Sequence, residues 1–222
     1  KDATYARDAS GNIMNDVHGK PIVMKNLTKA CQPGDAIYED INHDGVINQY
    51  DIVYLGNYNP VLTGGAGLTV KYKQVSLSAF FHGRFGQSIV NTARMNNESM
   101  YSDDNQSTAV LRRWRNEGDV TDIPRALYKE GYNYLGSDRF VEDASFIRLK
   151  TLTLNYLFPK KICNRLGINT LSCFVTGYNL FTWNYTGQDP EVEIPTKPTD
   201  LAEDKATTPV SMRFAFGINL NF

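Results

Sequence analysis

From Met212 to Phe222 the chain alternates without a break. Met212, Phe214, Phe216, Ile218, Leu220 and Phe222 fall on one side of an extended strand, and Arg213, Ala215, Gly217, Asn219 and Asn221 on the other. A period of two with one wholly apolar face leaves few architectures open. Such a face either lines the core of a soluble β-sandwich or, in an outer-membrane barrel, meets lipid while the small and polar set faces the lumen. The aromatic at Phe222 favours the barrel, whose closing strand carries a final aromatic at the periplasmic interface as an assembly terminus.

The same period recurs upstream. After Pro60, Leu62, Gly64, Ala66, Leu68, Val70 and Tyr72 alternate with Thr63, Gly65, Gly67, Thr69 and Lys71. Beyond a Lys73-Gln74 turn, Val75, Leu77, Ala79, Phe81 and Phe85 oppose Ser76, Ser78, His82 and Arg84. A third strand is expected near Phe146 to Phe158 with Leu152, Leu154, Tyr156 and Phe158 on one side, ended by Pro159. A fourth runs from Thr170 to Phe181, and apolar residues at both parities leave its facing open. Connections alternate in length: short at 73–74 and 159–169, long at 90–141, with a short helix expected near Ala109 to Trp114, and long again at 182–208. Short turns on one side and long loops on the other are what a barrel shows at its periplasmic and extracellular ends. Residues 1–59 read as an extracellular loop region and 60–222 as about five barrel strands; counted back from Phe222, the first segment and both long loops lie outside. Five strands cannot close a barrel. The rest of the wall is therefore expected in an N-terminal part beyond this sequence, as is any export signal, because Lys1 opens the chain with neither a charged nor an apolar leader segment.

Composition removes other classes. No run of 18 apolar residues offers a transmembrane helix, and a net charge of −1 gives no basic surface for nucleic acid. The 13 Tyr, 11 Phe and 17 Gly with only 21% charged residues suit a barrel, whose polar lumen and loops offset its apolar wall. Cys31, Cys163 and Cys173 match no zinc or CxxC spacing, and His18, His43 and His82 stand alone. Asp189, Glu191 and Glu193 read as solvated acids on a Pro-flanked loop rather than a glycosidase pair. No catalytic constellation is present, and an enzyme is not expected.

One motif carries metal chemistry. Asp40, Asn42, Asp44, Gly45, Val46, Asn48 and Asp51 fall at positions one, three, five, six, seven, nine and twelve of a calcium loop: oxygens for a hard cation, a glycine for the sharp turn, an inward carbonyl at Val46. Asp51 is one methylene shorter than the usual Glu, which weakens bidentate coordination. The alternative is an Asp/Asn-rich turn bonded to its own backbone. If Ca2+ binds, it stiffens a loop and catalyses nothing. In the long loop, Tyr101, Trp114, Tyr128, Tyr132 and Tyr134, interleaved with Arg112, Arg113 and Arg115, offer flat faces to a sugar or peptide, or else pack the loop or form an aromatic girdle.

Taken in order, Pro33-Gly34-Asp35, Asp40 to Asn48, Leu55 to Pro60, Arg113-Trp114, Ile123-Pro124-Arg125, Ser137 to Lys150, Gly177 to Phe181, Asp189-Pro190-Glu191 and Phe222 resemble the C-terminal end of the SusC/RagA-like TonB-dependent outer-membrane transporters of Bacteroidetes. The resemblance implies an all-β fold, the C-terminal section of a large antiparallel transmembrane barrel of roughly 22 strands with a plugged lumen. It also implies a nutrient importer in the bacterial outer membrane that works with a SusD-like surface lipoprotein, imports oligosaccharides or peptides, and draws energy through TonB. The plug and the TonB-contacting segment would lie in the missing N-terminal part. Two rivals are weaker. A dockerin repeats its calcium loop and this chain has one copy, while a soluble calcium-stabilised carbohydrate-binding β-module leaves the loop alternation and terminal aromatic unexplained.

Overall fold

The computed structural model describes residues 4–185, 187, 189–191, 202–205, 208 and 210–222. The chain divides into two compact units, one of residues 1–55 and 92–140, the other of 56–91 and 141–222. The long segment after residue 91 therefore groups mainly with the N-terminal residues.

The second unit holds five long strands: β4 (Leu62–Tyr72), β5 (Val75–Phe85), β8 (Phe146–Leu157), β9 (Thr170–Trp183) and β10 (Arg213–Asn221). They pair in the order β10-β9-β8-β5-β4, every neighbour antiparallel, so the sheet is a meander. Lys73, at φ 51°, makes the tight β4–β5 turn. Pro159 ends β8 and caps the short helix α2 (Lys160–Arg165), which leads into β9. A two-stranded ribbon, β6 (Ser88–Val90) with β7 (Val141–Asp143), continues the β5–β8 pair beyond Gly86.

Register keeps like with like. Val70, Leu77, Leu154, Val175 and Phe216 stand opposite one another in one row across all five strands, and Thr69, Ser78, Thr153, Thr176 and Ala215 in the next. The first row lies on one face and the second on the other. Hydroxyls pair across the polar row, Thr69 to Ser78 at 3.0 Å and Thr153 to Thr176 at 2.9 Å. Each such pair contributes about 0.2–1 kcal/mol. The apolar face is bare: Phe214 is 60%, Phe216 80% and Ile218 69% exposed, and Leu68, Leu77 and Leu154 are also open. A sandwich would bury them under a second sheet. Leu149, at 7%, is the exception on that face; most buried residues of this unit lie elsewhere, among them Phe146, Arg148, Cys163 and a small cluster of Ile89, Ala144 and Ala202 with Tyr58 and Tyr185.

The sequence reading assigned a face only to Leu152, Leu154, Tyr156 and Phe158, and the strand changes phase just before them. Leu149 pairs with Phe81 and Phe181, and Thr151 with Phe80 and Tyr178, so Lys150 is extra against β5 and faces the two residues Asn179 and Leu180 of β9. This double bulge sets Ile147 and Leu149 on the same face as Leu152 and Leu154, and turns Arg148 to the polar face. It also resolves β9, whose Leu171, Cys173, Val175, Gly177, Phe181 and Trp183 share the apolar face. Asn179 takes φ 53°, a conformation amide side chains tolerate, and Leu180 folds back over Gly177, where a Cβ would meet Leu180 Cδ2 at 2.8 Å. Gly177→Ala is expected to destabilise the sheet by about 1–3 kcal/mol through overpacking. Leu180→Ala should recover part of that loss, as read by denaturant midpoints of the refolded protein in a double-mutant cycle.

In the first unit, β1 (Lys25–Asn26) pairs antiparallel with β2 (Lys29–Ala30) and parallel with β3 (Val46–Ile47). Isolated bridges such as Tyr5 to Val23 fold the segment before them into a small meander, more ordered than the loop that composition suggests. Its other helix is α1 (Thr92–Glu98), and the expected short helix is a 3-10 segment at Thr108–Arg112. Among the described residues no helix is long and apolar enough to cross a membrane.

Candidate functional site

Three built features stand out. The first lies in the second unit, on the polar face just beyond the double bulge. Arg148, with a side chain only 5% exposed, donates through Nε to Thr182 Oγ1 at 2.8 Å, through Nη2 to Asp189 Oδ1 at 2.8 Å and through Nη1 to Glu191 Oε2. Lys150 Nζ donates to the same Glu191 oxygen at 2.6 Å, and His82 Nδ1 lies 3.3 Å from Glu191 Oε1. Asp189 also accepts the N–H of Glu191 at 3.0 Å and of Val210 at 3.2 Å. Burial pushes the Asp189 carboxyl toward the neutral form, but those N–H groups and the Arg148 guanidinium outweigh it and hold its pKa below the usual carboxylate value. Asp189 and Glu191 are thus ion-paired and half-buried rather than solvated, and Glu193 lies outside the described residues. Sequence reasoning missed this because the partners stand more than 40 residues away.

The second lies in the first unit. The Asp35 side chain is fully buried and takes Arg125 Nε at 2.6 Å and Nη2 at 3.3 Å. Asn133 Nδ2 adds a bond to Asp35 at 3.2 Å, and Arg125 Nη2 reaches Tyr132 Oη at 3.1 Å. Gly34, at φ 87°, lies against the Trp114 ring so closely that a Cβ would run into it. Pro33-Gly34-Asp35, Arg113-Trp114 and Ile123-Pro124-Arg125 are therefore one junction. In the same unit, Glu98, 6% exposed, is bridged by Arg94 at 3.1 Å and Arg139 at 3.0 Å.

Of the five loop aromatics, Tyr101 and Tyr128 are exposed. Trp114 and Tyr132 belong to the junction. The Tyr134 hydroxyl is buried with no hydrogen-bond partner, its ring packs near Phe140, and burial pushes its pKa up to about 12. The structure does not gather the five into one surface. It leaves two of them available to a ligand.

The third feature is the loop from Asp40 to Asp51. Asp40 Oδ2 accepts Gly45 N–H at 2.7 Å, Asp44 Oδ1 accepts Val46 N–H at 2.8 Å, and Asn42 Oδ1 accepts Asp44 N–H at 3.1 Å. The Asp51 carboxylate takes the N–H groups of Ile41 at 2.9 Å and Asn48 at 2.8 Å, and the Val46 carbonyl accepts Asn48 Nδ2 at 3.0 Å. Among the described residues no three Asp, Glu, His or Cys are drawn together around a cation position. The donor set is that of a hard cation, and the loop holds its turn on its own N–H groups. The expected assembly terminus, Phe222, stands just past β10 with its side chain exposed.

No family model matches the chain. It is 28% identical over 202 residues to TonB-dependent receptor P3 of Formosa agariphila, covering 88% of this chain and 20% of that protein. To TonB-dependent receptor P26 of the same organism it is 34% identical over 159 residues, 71% of this chain and 16% of the relative. Among solved structures, a RagAB peptide transporter chain matches 75% of this chain at 28% identity and TM-score 0.64, over 18% of its own length. The chain belongs to the SusC/RagA-like TonB-dependent receptors. The RagAB peptide importer in its closed-closed state aligns over the whole chain with TM-score 0.66 at 22% identity, which supports the fold alone. The chain spans about a fifth of the length of these relatives. The five-strand meander is accordingly a partial barrel wall in a family of outer-membrane receptors and transporters, not enzymes.

Arg125→Gln would leave the enclosed Asp35 carboxylate without its cation. Because Arg125 keeps some water contact, the loss is expected at about 3 kcal/mol, the low end for a buried pair. Hydrogen exchange of the Arg125 amide, which bonds the Gly34 carbonyl at 2.7 Å, measures it in the full-length protein.

Proposed function

We propose that this chain supplies wall strands and external loops to an outer-membrane importer that takes up oligosaccharides or peptides, works with a SusD-like surface lipoprotein and is driven through TonB. The observation that carries the reading is the uncovered apolar face running in register across five strands. In water a patch of that size drives association; against hydrocarbon it is the favourable surface. From Val75 to Phe85 the apolar side of β5 extends about 34 Å, and a tilt of about 40° reduces that to about 26 Å, the height of the lipid-facing band of such barrels. Aromatics gather toward both ends of the strands, Phe81, Phe181 and Trp183 at one and Tyr72, Tyr156 and Phe158 at the other, as girdles at two interfaces do. The long connections leave from the Trp183 end, so that end is the extracellular one, and Phe222 lies at the periplasmic one. RagAB being named a peptide transporter favours peptides over sugars, and exposed Tyr101 and Tyr128 are the aromatics through which the loops would meet substrate or lipoprotein.

The lipid assignment is tested in the full-length protein with its native cysteines replaced. An environment-sensitive fluorophore is placed at Leu154→Cys or Thr153→Cys, and the protein is reconstituted in brominated lipid. Strong quenching is expected at position 154 and weak quenching at 153; equal quenching at the two neighbours removes the wall reading.

The Asp40–Asp51 loop would take Ca2+ as a stiffening ion, since each acceptor oxygen keeps a second lone pair and the turn is already formed. Calorimetric titration should show saturable calcium binding that Asp40→Ala with Asp44→Ala abolishes. No heat in the unaltered protein would leave the loop as a metal-free Asx turn.

A further inference from the structure

The ion cluster on β8 does something for the loop between β9 and β10 that neither strand does alone. One carboxylate, Asp189, ties three parts of the chain: the wall through Arg148, its own turn through the Glu191 N–H, and the returning chain through the Val210 N–H. Glu191 repeats the attachment to the wall through Arg148 and Lys150. Asp189 lies six residues past the end of β9 and Val210 three before the start of β10, so their bond ties the outgoing chain to the returning chain close to the sheet. The double bulge at Lys150 is what makes this possible. With β8 in one phase from Leu152 downward, Arg148 and Lys150 would point to the apolar face, away from Asp189 and Glu191. Charges balance within the cluster, two cations against two carboxylates with His82 beside Glu191. Arg84, also on the polar face of β5, is not hydrogen-bonded through its Nη1 and takes no part. A strap meant to open freely would not be fastened by a guanidinium that is 5% exposed and bonded through three nitrogens, because releasing it strands buried charge.

We propose that Arg148 is a positioning residue: with Asp189 it ties the outgoing and returning chain of the β9–β10 loop to each other and to the wall. The assignment rests on the wall reading above only for what the loop meets outside; the clamp itself is tested without reference to substrate or lipid. In the full-length protein, hydrogen exchange by mass spectrometry should find the Glu191 and Val210 amides protected. Arg148→Gln should speed their exchange on the order of tenfold, well beyond any rise along the β4–β5 and β9–β10 ladders. Arg148→Lys, which restores one charged donor but not the fork, should recover part of the protection. Unchanged exchange at Glu191 and Val210 overturns the proposal. So does exchange that rises equally along β8 and β9, since Arg148 would then only support the wall. Should Arg148→Gln fail to assemble, Asp189→Asn keeps the wall's cations and carries the same comparison. Lipid quenching at Leu154 reports on the wall separately, so the two readings fail independently.

Discussion

A sheet with one greasy and one polar side works only if every strand keeps its phase relative to its neighbours, because a slip of one residue exchanges the two sides. That constraint governs the five-strand unit. Valine, leucine and phenylalanine stand in one row from β4 to β10 and hydroxyls in the next, with Thr69–Ser78 and Thr153–Thr176 bonded across it. The turns serve the same end. The two-residue turn at Lys73 leaves β4 and β5 no freedom to slide, and the Pro159 stop with α2 starts β9 opposite the end of β8.

Where alternation was unbroken, the sequence was sufficient. The bounds of β4 and β5 follow from Leu62 to Tyr72 and Val75 to Phe85, and β10 from the run that ends at Phe222, because a strand with one solvent class per face writes that face into every second residue. It was insufficient where phase changed. In Phe146 to Leu157 the apolar set moves from Ile147 and Leu149 to Leu152, Leu154 and Tyr156, and that odd-to-even step was a readable sign of a bulge. In β9 the mixed parity that left its facing open has two sources: Phe174, which lies on the polar face over Gly217, and Asn179, whose positive φ returns Leu180 to the side of Gly177.

Buried polar junctions were the least legible part. Asp35 and Arg125 stand 90 residues apart, as do their motifs, and nothing local marks either as enclosed. Asp189 and Glu191 look like surface acids by composition, and only the bulge brings Arg148 and Lys150 to them. The motif landmarks nevertheless acquire physical reasons: glycine at 34 for the Trp114 ring, glycine at 177 for Leu180, and Asp189-Pro190-Glu191 for the cations of β8. The Asp40–Asp51 segment was legible as a turn, since the oxygens that suit a cation are those that cap its N–H groups.

The paired irregularities at Lys150 and Asn179 sit side by side on adjacent strands, with the β5–β8 register shifting at the same level. Bulges bend the strands that carry them and increase their local twist, so two that lie at one level concentrate that effect there. Beyond that level the ladder resumes in the opposite phase of β8, which is what lets one strand present leucine on one side below and arginine on the other side above. A single inserted residue on β8, answered by a further one on β9, thus turns the same wall from a greasy surface into a mooring for the chain above it.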